Sequence, residues 1–342
     1  MPMVLLNDGT RVPALGYGTG TIHREHDTTS TILSAISAGF THLDGAQLYK
    51  NEEFLGAAIA TCGRPRADLY ITTKLNKLPE GQSVRGALEE SLRKLRVDYV
   101  DMFLIHVPIF FADLKATWRE MEGVKEAGLA RTIGLSNFNA TQLHTILEDA
   151  KVIPAVNQVE YHPYVYDTNK TLVAIHERHG IATAGYSGLA TLTRFPDGPV
   201  DSALLAPIRR RLEKEAGAPV TEAQVLLLWH RAHGVIEITT SSKAERMQEY
   251  LDILRLPDLT SAEVKTIDDA GSTVHRRFFV SNLCSKASTR LMGLLSSART
   301  GWMREQAISV AVGFVWAISR TAMTKASALY PDDDTNTCAG AR

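Results

Sequence analysis

The sequence predicts an α/β fold, a (β/α)8 TIM barrel preceded by a β-hairpin, and three observations carry that expectation. Short β-type runs alternate strictly with helical patterns, which implies a parallel sheet. The runs recur about every 30 residues over roughly 240 positions, the size of a barrel of this kind. Each run ends in a chemically useful side chain: Thr19, Asp44, Lys74, His106, Ser136 with Asn137, Gln158, Tyr186, and Thr240 with Ser241. Periodicity alone leaves a doubly wound open sheet as an alternative, in which those residues would be spread along an edge. In a barrel they share one rim, where active sites of this fold are built.

The elements follow in chain order. Val4-Leu5-Leu6 and Arg11-Val12-Pro13 flank Asn7-Asp8-Gly9, and Asp-Gly tolerates the positive φ that a hairpin turn needs. Strands are expected at residues 15–19, 41–44, 70–74, 99–106, 131–136, 155–160, 181–187 and 234–239. Helices are expected at 29–38, 52–61, 84–95, 114–126, 141–148, 169–179, 222–232 and 244–254. Thr28, Ser83, Thr141 and Thr221 read as N-caps, and Gly39, Gly128 and Gly180 as C-terminal stops.

Bulk composition excludes several function classes. With 342 residues, 44% hydrophobic and a formal net charge of -1, the chain can bury a large core. Near-zero charge gives no reason to expect nucleic acid or an anionic membrane as partner. The three cysteines, Cys62, Cys284 and Cys338, are far apart, which argues against a disulfide scaffold or a metal site and for a reducing compartment. The N-terminus has no basic region and too short an apolar run for a signal peptide, so a cytoplasmic protein is expected.

The chemistry centres on the stretch from Thr41 to Glu53, which delivers Asp44 at a strand end and Tyr49 in the following turn. Lys74 stands at the end of an apolar strand and needs a partner to offset its desolvation, and Asp44 is the natural one. An ammonium held against the Tyr49 phenol is expected to lower its pKa and prepare it as a proton donor. Taken alone, the same residues also fit a structural ion pair beneath a surface tyrosine. His106 closes a fully buried strand run, a place more often taken by a core histidine, but on this rim it can orient a carbonyl oxygen.

Asp44, Tyr49, Lys74 and His106 match in type, order and strand position the catalytic tetrad of the aldo-keto reductases, and the chain from about Val4 to His275 resembles that family. Gly134-Leu135-Ser136-Asn137-Phe138 is similar to its nicotinamide-binding segment. Asn157-Gln158-Val159-Glu160 resembles the strand whose glutamine binds the carboxamide, and Gly185-Tyr186-Ser187 the segment whose tyrosine stacks under the ring. Thr240-Ser241-Ser242-Lys243-Ala244-Glu245-Arg246 takes the place of the loop and helix start that hold the adenosine 2′-phosphate. The resemblance implies NADPH, with NADH as the less favoured cofactor, bound by Thr19, Ser136, Asn137, Gln158, Tyr186, Ser187, Leu189, Thr240, Ser241 and Arg246. It implies a small carbonyl substrate, no metal, and a monomer or weak homodimer. A cofactor-sensing regulatory subunit is the competing reading from another class, and the intact tetrad argues against it.

Departures from the family bear on substrate. Thr240 replaces a frequent lysine, while Arg246 and Lys243 remain to favour a phosphate. Gly20 and Val107 stand where large aromatics are common, and both are expected to widen a substrate pocket that also includes Phe138. Ser187-Gly188-Leu189 replaces Ser-Pro-Leu and is expected to loosen the loop over the pyrophosphate. His106-Val107-Pro108 and the Thr-Thr-Ser-Ser-Lys segment resemble fungal members acting on α-dicarbonyls and keto-lactones. Tyr70-Ile71-Thr72-Thr73-Lys74 mimics a short-chain dehydrogenase pattern, but that pair needs one helix face and this run is β-branched. Two segments are therefore expected: a barrel over 1–280, and an atypical tail over 281–342, poorly ordered or an artefact of the gene model.

Overall fold

A computed structural model describes residues 1–279; the expected tail, 281–342, lies outside the described residues. Strands β1 (Met3–Leu5) and β2 (Arg11–Pro13) form the hairpin, turned at Gly9 with φ +81°. The barrel strands are β3 (Leu15–Gly18), β4 (His42–Asp44), β5 (Tyr70–Leu75), β6 (Val100–Ile105), β7 (Ala130–Ser136), β8 (Val156–Glu160), β9 (Ala182–Tyr186) and β10 (Ile236–Thr239). They pair in parallel and close between β10 and β3, so the barrel expected from the sequence is the architecture observed. Open-sheet edges are abolished, and every strand delivers its C-terminal residue to the same rim.

Two buried layers hold this rim in place. Leu43, Ile71, Phe103, Leu135 and Val159 point outward into a continuous core with the surrounding helices, joined by Trp118, Trp229 and Tyr164. Tyr70, Met102, Leu104, Val156, Ala184 and Ile238 fill the barrel interior, and Leu6 and Val12 of the hairpin close its base. The two sets alternate along each strand, as a period-two pleat requires.

Helix ends follow side-chain chemistry where they can. The Ser83 hydroxyl accepts from Gly86 N at 3.1 Å, and Thr221 forms a capping box with Gln224. Thr28 stands at its N-cap position without a side-chain cap bond. The expectation at Thr141 is corrected: the helix is Ala140–Leu147, capped by Asn139 in a reciprocal box with Gln142. Asn is an equally good cap, and the preceding Asn-Phe-Asn sequence hid it inside the loop. Helices Ser202–Ala216 and Ser261–Ser272 are additions to the sequence reading. Pro207 inside the first masks its period, although Asp201 caps it; the second announces itself by the Thr260/Glu263 capping box.

Candidate active site

Asp44 ends β4, and the chain turns through a short 3-10 segment, Gln47–Tyr49, before the helix Glu52–Thr61. That turn is fixed by polar contacts. Gln47 donates to Ala87 O at 3.0 Å and Ser91 Oγ at 2.9 Å, and its own oxygen accepts from Asn76 N at 2.8 Å. Lys50 takes up the left-handed region, φ +55°, which swings the chain back toward the helix. Asn51 Nδ2 donates to Thr19 O at 2.7 Å and His23 O at 2.8 Å, tying the β3 loop to the same turn. Tyr49 is thereby presented over the end of β5.

Lys74 is fully buried, and its ammonium reaches three acceptors. It donates to Asp44 Oδ1, to Gly45 O at 2.9 Å and to the Tyr49 hydroxyl at 3.5 Å. Burial alone would discharge the ammonium, but the Asp44 carboxylate and the Tyr49 oxygen outweigh it and raise its pKa above the ordinary lysine value. The Tyr49 phenol is pushed up by burial, and Lys74 offsets this only in part against a further upward push from Asp44. The expected lowering of the Tyr49 pKa is thus corrected. Desolvation of a phenolate prevails, and Asp44 opposes part of the field that Lys74 exerts. Tyr49 is fully protonated at neutral pH, the state a proton donor needs.

His106 follows β6, and its ring lies edge-on to Tyr49 with centroids 5.6 Å apart. Burial pushes its pKa well below the usual imidazole value, with Lys74 and Arg24 adding to the shift. The imidazole is neutral, and its Nδ1 is sealed away without a partner among the described residues. Only the other nitrogen can meet a ligand.

The residues of the expected cofactor bed are brought to this rim, but several are bonded to one another. Ser136 Oγ donates to Gln158 O at 2.9 Å. Asn137, in the left-handed region at φ +62°, donates to His106 O at 3.0 Å, and its Oδ1 accepts from the Tyr186 hydroxyl at 2.7 Å. Gln158 Nε2 donates to Asp44 Oδ2 at 2.9 Å, and its Oε1 has no hydrogen-bond partner among the described residues. Asp44 therefore sits between the lysine and the glutamine. Thr19 braces it from the other side, accepting nothing from it and donating from N at 2.9 Å and from Oγ1 at 3.1 Å to Asp44 O. Ser187, at φ +61°, and Leu189 turn the chain into a one-turn helix, Ala190–Thr193.

Farther along the rim, Ser241 O accepts from the Tyr17 hydroxyl at 2.6 Å, and Ser241 Oγ accepts from Lys243 N at 3.1 Å. The helix Ala244–Asp252 begins at Lys243 without a side-chain cap, which leaves its first amides open to an anion. Arg246 in its first turn is exposed and makes no ion pair among the described residues. Thr240 Oγ1 is buried without a hydrogen-bond partner among the described residues. An orphan hydroxyl, open helix amides and a free guanidinium fit the phosphate end of a dinucleotide, and the unpartnered Gln158 Oε1 fits an amide N–H.

Two pocket expectations and one loop expectation are corrected. Gly20 opens no extra space, because the Tyr49 ring fills it: a Cβ there would stand 2.9 Å from Tyr49 Cζ. Phe138 is 1% exposed and belongs to the core between barrel and helices, drawn outward by the strand alternation. Gly188 is not a source of slack. A Cβ on it would stand 2.6 Å from His230 Cε1 and 2.7 Å from Glu237 Oε1, a buried His–Glu pair lying directly beneath the loop. Val107, buried at 4% exposure beside His106, belongs to neither apolar layer.

Sequence reading missed two contributors. Glu160, at the end of β8, accepts from Phe278 N at 2.6 Å and Phe279 N at 2.7 Å, which brings Phe279 edge-on to the Tyr186 ring at 6.1 Å. Its place two residues after Gln158 was the available signal, since period two puts both on one face. Arg24 lies in the loop after β3, outside any recognisable pattern; no sequence signal marks it.

Residues 14–272 match the Aldo/keto reductase family, and the chain belongs to it. It is 37% identical over 281 residues to the NAD/NADP-dependent indole-3-acetaldehyde reductase of Schizosaccharomyces pombe, covering 80% of this chain and 95% of that one. It is 35% identical to morphine 6-dehydrogenase of Pseudomonas putida, covering 80% and 92% of the two chains. Among solved structures, the Bombyx mori aldo-keto reductase in complex with NADP superimposes with a TM-score of 0.72 at 31% identity, over 83% of this chain and 97% of that one. An aldo/keto reductase from Brucella melitensis gives 0.68 at 34% identity, over 79% and 99%. The protein is an oxidoreductase of this family. No helix of the described residues is long and apolar enough to cross a membrane.

Proposed function

We propose that the protein reduces an aldehyde or ketone to the alcohol with NADPH, Tyr49 acting as the proton donor. The observation that carries this reading is the buried Asp44–Lys74–Tyr49 chain, ending at a protonated phenol that faces a neutral His106. When bound, the reduced nicotinamide supplies the hydride that reaches the carbonyl carbon. His106 donates its one available N–H to the carbonyl oxygen and fixes its place beside Tyr49. The Tyr49 hydroxyl then passes its proton to that oxygen as negative charge develops there. Lys74 stabilises the phenolate left behind, and Asp44 keeps Lys74 charged in a site where burial opposes it.

Gln158 Oε1 is the acceptor best placed for the carboxamide, and Tyr186 supplies a flat surface for the ring, with Asn137 exchanging its present partner. Arg246, Thr240, Ser241 and the open amides of the helix Ala244–Asp252 would hold the phosphate end. Their chemistry supports NADPH over NADH, because an unpaired guanidinium gains most from a phosphate dianion. Oxidation of NADPH and NADH should be followed across aldehydes, α-diketones and keto-lactones. Turnover with a preference for NADPH that collapses about tenfold or more in Arg246→Ala supports the assignment. Equal use of both cofactors by the natural protein removes Arg246 from the site. Binding of NADPH with no turnover on any carbonyl would favour the regulatory-subunit reading instead.

A further inference from the structure

The loop between β3 and the first barrel helix is laid along Tyr49. Glu25 N donates to Tyr49 O at 3.0 Å, and Gly20 presses its backbone against the Tyr49 ring. Within this loop, Arg24 Nη2 donates to Leu48 O at 3.3 Å, the carbonyl adjoining Tyr49. The guanidinium is half-buried and forms no ion pair among the described residues. Its neighbour Glu25 is engaged with Lys50 at 2.9 Å, on the exposed side of the loop. Lys74, by contrast, is balanced by Asp44. Among the described residues Arg24 is thus a cation without an ion pair, and Glu25, which feels its charge, is bonded to Lys50 instead. Arg24 and Lys74 are the two charges felt by the His106 ring, and Arg24 is also felt by the Tyr49 phenol. One N–H of Arg24 serves the backbone, and the rest of its planar fork is open to a planar anion.

We infer that Arg24 is a specificity-determining residue, and that the protein favours carbonyl substrates bearing a carboxylate, which Arg24 grips while the carbonyl lies between Tyr49 and His106. The inference rests on the carbonyl-reductase reading for its chemistry but not for its binding. A carboxylate in this position gains a charge-assisted hydrogen bond in a partly desolvated mouth, where screening is weaker than at the open surface. A neutral aldehyde of the same shape leaves the guanidinium solvated and gains nothing from it.

The test compares 4-carboxybenzaldehyde with 4-methylbenzaldehyde in the natural protein, Arg24→Gln and Arg24→Lys. Both variants keep a donor for Leu48 O, so the loop is retained. The natural protein should show a kcat/KM ratio of about tenfold or more in favour of the carboxylate, reduced at high salt. Arg24→Gln should bring the ratio near one, and Arg24→Lys should keep part of it. A ratio near one in the natural protein, or one unchanged in Arg24→Gln, overturns the inference. Calorimetric binding of 4-(hydroxymethyl)benzoate against 4-methylbenzyl alcohol, with and without NADPH, separates the two claims. Arg24-dependent carboxylate binding without turnover refutes the reductase reading and keeps Arg24 as an anion anchor. Turnover with no Arg24-dependent preference refutes the anchor alone.

Discussion

At the scale of single residues, the site works by opposing burial with one charge at a time. Lys74 is retained as a cation because Asp44 faces it, and Asp44 is held in place by Gln158 and Thr19. Removing the amide of Gln158 leaves a carboxylate oxygen buried with no donor, which costs roughly 1–3 kcal/mol in such surroundings. Gln158→Met should therefore lower both thermal stability and turnover at saturating cofactor. Unchanged turnover with weaker NADPH binding alone would limit Gln158 to the cofactor. Burial lifts the Tyr49 pKa above the ordinary phenol value, so the proton donor is lost only on the alkaline side. Carbonyl reduction should accordingly hold level through neutral pH and fall only above the ordinary phenol value of about 10. A steady decline across the neutral range would mean that a different group titrates. The types and order of these residues were legible in the sequence. So was the pairing of Lys74 with Asp44 and Tyr49, but the bond from Gln158 to Asp44 was not, because which amide meets which carboxylate depends on strand register and not on spacing.

At the scale of elements, the sequence was informative wherever period and capping chemistry agreed, and silent where a proline or a second cap candidate intervened. The eight strands were legible because each is a β-branched or apolar run closed by a polar residue. Asn139 was displaced by Thr141 in the sequence reading because both precede the same apolar stripe. Asn139→Ala should cost about 1 kcal/mol of stability, and Thr141→Ala much less; urea unfolding midpoints compare them directly. Gly188 is the clearest case of an element-level constraint invisible in the chain. Its missing Cβ makes room for the buried His230 and Glu237, which lie far along the chain beyond the next helices. Gly188→Ala should destabilise the protein by about 1–3 kcal/mol and shorten its thermal tolerance. Restored stability on adding His230→Ala would confirm the steric cause, and additive losses would contradict it.

At the scale of the whole molecule, burial of histidine sets the response to acid. His42, bonded to Thr72 Oγ1 at 2.9 Å, and His176, between Asn157 and Thr183, are both pushed down to about 4 by burial. Below the unfolded value of about 6.5, the unfolded chain takes up protons that the folded chain refuses. Stability is therefore fully present above that pH and is lost as pH falls toward 4. Each histidine contributes about 2 kcal/mol of that loss by pH 5. Denaturant unfolding at pH 7 and pH 5 should show the difference, and a flat profile would contradict it. The alternation marked a parallel α/β sheet, and the strand-end residues gathered on one rim marked it as a barrel. What escaped was the loop after β3, because a side chain such as Arg24 acquires its meaning from the turn it faces.

The most direct test of the central claim compares Tyr49→Phe with the natural protein, with NADPH oxidation and NADPH binding followed together. Removal of one hydroxyl from the Lys74–Tyr49 pair should reduce turnover by about a hundredfold or more. NADPH affinity should stay within a few-fold, because no phosphate or carboxamide contact is touched. Turnover that survives the substitution would contradict Tyr49 as the proton donor and return the Asp44–Lys74 pair to a purely structural role.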